Sequence, residues 1–128
     1  MSDTIDAVKC ETVHVPLGAR AYDVRIGPGL SARAGSEIAP LLARPRVAIL
    51  TESRVAERHL GVVEAALERE GIASVALALP PGEATKGWAG LSRAVDWLLE
   101  QKVERRDVVV ALGGGVVGDL AGFAAAIL

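Results

Sequence analysis

Residues 107–128 read DVVVALGGGVVGDLAGFAAAIL, and this stretch decides the fold. The apolar run at 108–112 predicts a buried β-strand, and the apolar spacing after Val116 predicts a helix. Between them lie three consecutive glycines, at 113–115, with Gly118 shortly after. Glycines admit positive φ and allow close approach to the backbone, so several N–H groups can point to one place. The helix start adds unpaired N–H groups and a positive dipole end there, which favours a phosphate or a diphosphate as ligand.

The glycine pattern has two interpretations. Gly113-x-Gly115-x-x-Gly118 matches the dinucleotide-binding fingerprint, and a strand before it and a helix after it are the right context. In an ordinary Rossmann unit, however, the fingerprint follows the first strand and an acidic residue follows about 20 residues later. Here it follows the last strand and no such acid comes after it, while the absence of Gly-Lys-Ser/Thr argues against an ATP-binding P-loop. The structural alternative is that the glycines merely let the helix pack tightly on the strand.

Asp119 has two interpretations as well. An acid in the first turn of a helix complements the helix dipole, whatever the function. Beside a bound phosphate its charge would be unfavourable, so with a nucleotide present we expect Asp119 to accept a hydrogen bond from a ribose hydroxyl. The sequence supports both equally.

The rest of the chain predicts strands that alternate with helices. Alternating apolar residues around a glycine-bearing turn, between positions 12 and 26, predict an antiparallel hairpin. Apolar strands separated by helices indicate a parallel sheet covered on both faces. The predicted fold is therefore α/β, a Rossmann-like parallel sheet flanked by helices with an N-terminal antiparallel hairpin, in one domain over residues 1–128. The other predicted elements are a short helix from Ser31 to about Ala43, strands at 47–50 and 72–79, and helices at 53–70 and from near Thr85, the last with Trp88, Leu91, Val95, Leu98 and Leu99 facing inward.

Composition limits the possible functions. The chain has 128 residues, enough for one domain, and 51% of them are apolar, which excludes a disordered tail. The net charge of −2 comes from balanced acids and bases, so nothing favours nucleic acid or a membrane surface as partner. No leader and no apolar run near about 18 residues is present, so we expect a cytoplasmic protein. His14 and His59 have no partner at ligand spacing, and no metal site is expected in this chain.

Two further segments are predicted at the carboxyl ends of parallel strands, where ligands bind in open α/β sheets. One is Pro80-Pro81-Gly82-Glu83-Ala84-Thr85-Lys86, for which the structural alternative is a helix start where Glu83 and Lys86 form a solvated pair. The other is Glu52, which either binds ribose hydroxyls or simply favours the start of the helix at Ser53.

On these residues the chain resembles the N-terminal, cofactor-binding part of 3-dehydroquinate synthase. That family carries a Pro/Asp-Gly-Glu-x-x-Lys loop, present here as Pro81-Gly82-Glu83-Ala84-Thr85-Lys86. It also carries Gly-Gly-Gly-x-x-Gly-Asp-Leu-x-Gly-Phe-x-Ala-Ala, present here at residues 113–126. The motifs have the expected separation, and the resemblance covers essentially the whole chain. Glycerol dehydrogenases share only the Gly-Gly-Gly core and a later acid.

The resemblance implies an activity. Members bind NAD between an α/β domain and a mainly helical C-terminal domain, and convert 3-deoxy-arabino-heptulosonate 7-phosphate to 3-dehydroquinate and phosphate in the shikimate pathway. NAD oxidises the C5 hydroxyl of the sugar phosphate and is regenerated in every cycle, so the enzyme is a lyase. A divalent metal, zinc or cobalt, polarises the oxidised hydroxyl.

The resemblance also implies residue roles. The diphosphate would lie against Gly114, Gly115 and Val116, with the nicotinamide ribose near Gly118 and Asp119. Glu83 and Lys86 would contact the adenosine side, and Glu52 would lie near the adenine ribose. Pro81 stands where many members have Asp, which removes an acceptor and an N–H. The implied cofactor-binding residues are Glu52, Gly82, Glu83, Lys86, Gly114, Gly115, Val116, Val117, Gly118 and Asp119.

The family's metal ligands and substrate-binding residues lie C-terminal to the matched segment. We therefore expect no catalytic or metal-binding residue in this chain, and no synthase activity from it alone. The last helix would have an uncovered apolar end, which predicts a homo-oligomer; the residues expected to be uncovered are Leu120, Phe123, Ala124, Ile127 and Leu128. The alternatives are a metal-dependent polyol or glycerol dehydrogenase domain, a deoxy-inosose type of sugar-phosphate cyclase, and a free-standing nucleotide-binding module.

Overall fold

The structure is a computed structural model and describes residues 10–82 and 87–128. Two predicted cofactor-binding residues, Glu83 and Lys86, lie outside the described residues, as does the helix start predicted near Thr85.

An antiparallel hairpin precedes a parallel sheet. The hairpin consists of β1 (Glu11–Val15) and β2 (Tyr22–Ile26). The sheet consists of β3 (Arg46–Glu52), β4 (Ala73–Leu79) and β5 (Val108–Leu112), all parallel, with β3 in the centre. This arrangement confirms the predicted α/β fold class.

Helices cover both faces of the sheet. A short helix, α1 (Ala34–Ile38), lies between two 3₁₀ turns. A helical turn at Ser53–Val55 continues through a π-helical turn, Ala56–Leu60, into α2 (Gly61–Arg69). The other helices are α3 (Trp88–Glu100) and α4 (Gly115–Ile127).

The alternating side chains of β3 define two apolar layers. Val47 and Ile49 are fully buried against α2, together with Val63 and Leu67. Ala48 and Leu50 point to the opposite face, where the buried residues of α3 and α4 cover them. Because β3 is apolar on both faces, it can be the central strand of a sheet that is covered on both sides.

Three details of the helix predictions were wrong. Trp88 and Leu99 were expected to face inward, yet they are 81% and 58% exposed. The buried stripe of α3 is Leu91, Ala94 and Leu98, so Leu99 lies about 100° around the helix from it, while Trp88 is the first residue of the helix. The helix predicted from Ser31 is broken, since Pro40, which has no backbone N–H, lies in a 3₁₀ turn.

A polar clamp joins the amino ends of β3 and β5. The Arg44 guanidinium donates from Nε and Nη2 to the two oxygens of Asp107, at 2.8 and 2.6 Å. The Asp107 side chain is only 5% exposed. The hydrogen bond from Arg44 lowers the pKa of Asp107, while that of Arg44 is raised. No helix in the described residues is long and apolar enough to cross a membrane.

Candidate nucleotide-binding site

The carboxyl edge of the sheet brings the predicted segments together. Glu52 ends the central strand, residues 80–82 follow β4 on one side, and residues 113–115 follow β5 on the other. Thr51 pairs with Leu112 in the register, and its buried hydroxyl donates to the Leu112 carbonyl oxygen at 2.7 Å. This bond holds the end of β5, from which the glycine turn departs.

Gly113 is required by the protein's own structure. Its φ is +152°, a conformation that residues with a side chain rarely adopt. An added Cβ would also lie 3.0 Å from Cγ2 of Val117, whose side chain is 3% exposed beneath the turn. The backbone conformation and the close contact therefore both account for this glycine.

The other glycines of the fingerprint have no such explanation. A Cβ added to Gly114, Gly115 or Gly118 would meet no atom of the described residues within 4 Å. Gly114 has an ordinary φ of −87°. Among the described residues, the structural alternative, tight packing of the helix on the strand, thus applies to Gly113 alone. At the other three positions, the described residues leave the space beside the backbone open.

The open surface coincides with the start of α4. Gly114 is the N-cap residue, and no side chain of the described residues caps the helix. The N–H of Gly118 donates to the Gly114 carbonyl at 3.0 Å, and the N–H groups of residues 115–117 precede this intrahelical bond. Such N–H groups at a helix start, together with the dipole, attract an anion. Because the Val117 side chain is buried, only its backbone can contribute.

Glu52 has the structural role that the sequence allowed. Its Oε2 accepts the N–H of Arg54 at 3.0 Å, and its Oε1 accepts the N–H of Val55 at 2.9 Å. The carboxylate therefore caps the helical run that begins at Ser53. Each oxygen keeps a further lone pair, so a ribose hydroxyl can still donate to it.

Asp119 does not have the dipole role that the sequence allowed. α4 begins at Gly115, so Asp119 lies in its second turn, and the first turn contains no acid. Dipole effects fall off within one turn. The exposed Asp119 instead borders an open cleft of about 270 Å³ between α3 and α4, lined also by Trp88, Leu91, Leu120 and Phe123.

Gly82 is explained by the turn that contains it. Its φ is +99°, in the region that favours glycine, and it is exposed. Within the described ranges, no group of three His, Cys, Asp or Glu residues could hold a metal ion. His14 instead pairs with Asp23 across the hairpin, with Nδ1 and Oδ1 2.8 Å apart.

The sequence alone could not show which strand lies beside the glycine turn. An ordinary Rossmann unit has its acid downstream of the glycines. In the sheet, the neighbour of β5 is β3, which precedes it in the chain and ends in Glu52. An acid therefore lies at the end of the strand beside the glycine turn, and it precedes the glycines in the chain.

Comparisons with known proteins point to one family. Residues 76–128 match the family described as 3-dehydroquinate synthase N-terminal. The chain is 72% identical over 125 residues to a 3-dehydroquinate synthase of Cereibacter sphaeroides, covering 98% of this chain and 32% of the relative. It is 68% identical over 118 residues to that of Ruegeria pomeroyi, covering 92% of this chain and 32% of the relative. The chain thus spans about a third of the length of these relatives.

The fold is also found among solved structures. The chain is similar to 2-deoxy-scyllo-inosose synthase in a crystal structure complexed with carbaglucose-6-phosphate, NAD+ and Co2+, with a TM-score of 0.79 and 20% identity. The match covers 92% of this chain and 32% of that one. This similarity confirms the α/β fold.

Proposed function

We propose that this chain is the N-terminal part of a 3-dehydroquinate synthase and that its residues 1–128 form the NAD-binding domain of such an enzyme. The whole enzyme would convert 3-deoxy-arabino-heptulosonate 7-phosphate to 3-dehydroquinate and phosphate, as a lyase of the shikimate pathway. We place this activity in the cytoplasm.

One observation carries the proposal for the cofactor. Three glycines at the carboxyl edge, Gly114, Gly115 and Gly118, face space that the described residues leave open. Neither internal packing nor, at Gly114, an unusual φ accounts for them. A ligand that approaches the backbone closely would account for the three glycines. The uncapped start of α4 favours a ligand that is an anion. The diphosphate of NAD meets both conditions, and the related fold of the inosose synthase holds NAD+ in its crystal structure.

The remaining contacts follow from this placement. The N–H groups of Gly115, Val116 and Val117 would donate to the diphosphate oxygens, where a helix dipole adds attraction. Asp119 would accept a hydrogen bond from the nicotinamide ribose. Gly82, Glu83 and Lys86 would contact the adenosine side. Glu52 would accept from the adenine ribose while it continues to cap its own helix.

The metal and the sugar phosphate belong elsewhere in the whole enzyme. The described residues of this chain do not fit a divalent zinc or cobalt ion, because they contain no group of three ligands. We therefore assign metal binding and substrate chemistry to the part of the relatives that this chain does not span. When bound, NAD supplies the hydride acceptor and donor, and this chain supplies its binding and orientation. The chain alone is expected to have no synthase activity.

Calorimetry with the purified chain tests the cofactor assignment. NAD+ should bind with a measurable enthalpy, and ATP and the sugar phosphate should bind at least about tenfold more weakly. Tighter binding of ATP, or no binding of NAD+ at millimolar concentration, would overturn the assignment. A phosphate-release assay with the sugar phosphate, NAD+ and zinc tests the expectation that the chain alone has no synthase activity. Phosphate release above background would show that this expectation is wrong.

We also propose that the chain forms a homo-oligomer through exposed apolar residues in the second half of α4. Phe123, Ile127 and Leu128 are 55%, 54% and 44% exposed there. The expectation was wrong for Leu120 and Ala124, which are buried against the rest of the fold. An exposed apolar patch of this kind favours association. Sedimentation should show a dimer or a larger species at micromolar concentration, and Phe123→Ser should shift it towards monomer. A wild-type chain that sediments as a monomer would refute the proposal.

A further inference from the structure

Thr51 is a polar residue at an apolar position of the sheet. Side chains alternate along a strand, so Thr51 shares a face of β3 with Val47 and Ile49, which pack against α2. It is 0% exposed, and among the described residues it is the only buried polar one. Valine has nearly the same shape without a hydroxyl, and burying a hydroxyl costs free energy unless it is hydrogen-bonded. The use of threonine here therefore depends on the partner of its hydroxyl.

That partner is the last carbonyl of β5. Oγ1 of Thr51 donates to the Leu112 oxygen at 2.7 Å, whereas it lies 3.5 Å from the carbonyl oxygen of Glu52. Thr51 and Leu112 are also the last pair in the register of β3 with β5. The side-chain bond thus adds a fixed point at the place where the regular pairing of the two strands stops.

The glycine turn begins at this fixed point. The carbonyl of Leu112 and the N–H of Gly113 belong to one planar peptide group, so holding the carbonyl also sets the direction of that N–H. The turn needs such a restraint, because glycine loses more conformational freedom on folding than any other residue. On its far side the turn is held by the N–H of Gly118, which donates to Gly114 at 3.0 Å, and by the buried side chain of Val117.

We infer that Thr51 is a positioning residue for the diphosphate, because its hydroxyl orders the glycine turn before the nucleotide binds. This inference rests on the proposed NAD-binding function and deepens it. A turn that already has its binding conformation spares the ligand the entropy cost of ordering it, so the affinity is higher. Since Thr51 is fully buried, it acts through the Leu112 carbonyl and not by contact with the nucleotide.

The alternative is that the Thr51 bond only stabilises the fold, and the amino ends of the same strands supply the comparison. There the Asp107 carboxylate accepts two hydrogen bonds from Arg44, at 2.8 and 2.6 Å. Loss of either connection should lower the free energy of unfolding, because each joins the β3 and β5 segments. Only the Thr51 bond lies beside the glycine turn, so of the two it alone should affect the binding of NAD+.

Three substitutions separate the order of the turn from the stability of the fold. Thr51→Val removes the hydroxyl and nearly keeps the shape of the side chain. Thr51→Ser keeps the hydroxyl and removes a buried methyl group, which also lowers stability. Asp107→Asn is the matched control at the opposite end of β5. Circular dichroism and urea denaturation check that each variant is folded at the temperature of the binding experiment.

Calorimetry with NAD+ measures the effect on binding. Thr51→Val should raise the Kd for NAD+ by about fivefold to tenfold, the loss expected from one hydrogen bond. Thr51→Ser and Asp107→Asn should keep the Kd within about twofold of wild type, although their unfolding midpoints fall.

Hydrogen exchange in the protein without nucleotide measures the order of the turn itself. The amide of Gly118 is bonded to the Gly114 carbonyl, so its exchange rate reports local opening of the turn. Thr51→Val should speed this exchange by about fivefold relative to the amide of Ile49 in the central strand. Thr51→Ser and Asp107→Asn should leave the ratio of the two rates as it is in wild type.

The outcomes distinguish this inference from the proposed function. Thr51→Val protein that binds NAD+ with wild-type affinity would overturn the inference and leave the cofactor assignment standing. An equal loss of affinity in Thr51→Ser would also overturn it, because the hydroxyl would not be responsible. The same holds for an equal loss in Asp107→Asn, since reduced stability would then explain the effect. Wild-type protein that does not bind NAD+ would overturn the proposed function, and this inference with it.

Discussion

Gly115→Ala tests whether the glycine turn serves a ligand or the fold. A Cβ at this position meets no atom of the described residues within 4 Å, and Gly115 is the first residue of α4. Alanine loses less conformational freedom than glycine on folding, so the free energy of unfolding should stay the same or rise by up to about 1 kcal/mol. The affinity for NAD+ should fall by at least about tenfold, because the methyl group occupies the space where the diphosphate approaches the backbone.

Gly113→Ala should give the opposite pattern. This residue has a φ of +152°, and an added Cβ would lie 3.0 and 3.2 Å from Cγ2 and Cβ of Val117. Holding alanine in such a conformation costs about 1–3 kcal/mol, and the buried valine must shift as well. The free energy of unfolding should therefore fall by about 2 kcal/mol, with any loss of NAD+ binding following from the disturbed turn.

Gly61→Ala is the matched control for Gly115→Ala. Gly61 is exposed, begins α2, and an added Cβ there also meets no described atom within 4 Å. Urea denaturation and calorimetry with NAD+ should show the same small change in stability for both variants, and a loss of affinity for Gly115→Ala only. Gly115→Ala protein that binds NAD+ with wild-type affinity would refute the argument, as would its destabilisation by more than about 2 kcal/mol.

Three further substitutions test the frame around the site, each by urea denaturation. Asp107→Asn should cost about 2 kcal/mol at neutral pH, since it removes charged hydrogen bonds from Arg44. Because the pKa of Asp107 is lowered in the folded state, this stabilisation is fully present above the unfolded pKa of about 3.9 and is lost as the pH falls through the folded pKa. The free energies of unfolding of wild type and variant should therefore converge in acid. Thr51→Val should cost about 1 kcal/mol and weaken NAD+ binding, because it removes the bond that holds the end of β5. Gly35→Ala should lower the free energy of unfolding by about 1–3 kcal/mol, because the new Cβ would overlap a backbone carbonyl of α2. For each of the three variants, a urea unfolding midpoint equal to that of wild type would contradict the argument for that residue.

Local patterns were sufficient to predict most of the fold. The strand Val108–Leu112 has the predicted bounds, because a charged loop precedes its apolar run and glycines follow it. The hairpin and the order of helices and strands are also confirmed. The prediction that Trp88 faces inward was wrong. Helical periodicity indicates on which face of a helix a residue lies, whereas burial also requires another element to pack against that part of the helix.

The candidate site was only partly predictable, because its parts meet through strand order. Glu52 and the glycine turn were both candidates, yet 60 residues separate Glu52 from Leu112, and nothing local shows that their strands are neighbours. The sequence likewise left both interpretations of the glycines open, ligand binding and tight packing, since it does not show which atoms an added side chain would contact. Gly113 has a structural reason, and Gly114 and Gly118 have none within the described residues.

The order of the proposed site residues along the chain has a physical explanation. A dinucleotide is bound by what two adjacent parallel strands present at their carboxyl ends, namely open backbone N–H groups on one and an acid on the other. Neither contact depends on which of the two strands comes first in the sequence, provided that the strands are neighbours in the sheet and that a helix begins after each. β3 and β5 meet these conditions with β4 placed on the far side of β3, and Glu52 precedes the glycines by about 60 residues. A search that fixes the order of glycine and acid would therefore miss sites of this kind, whereas one that asks which strand ends are adjacent would find them.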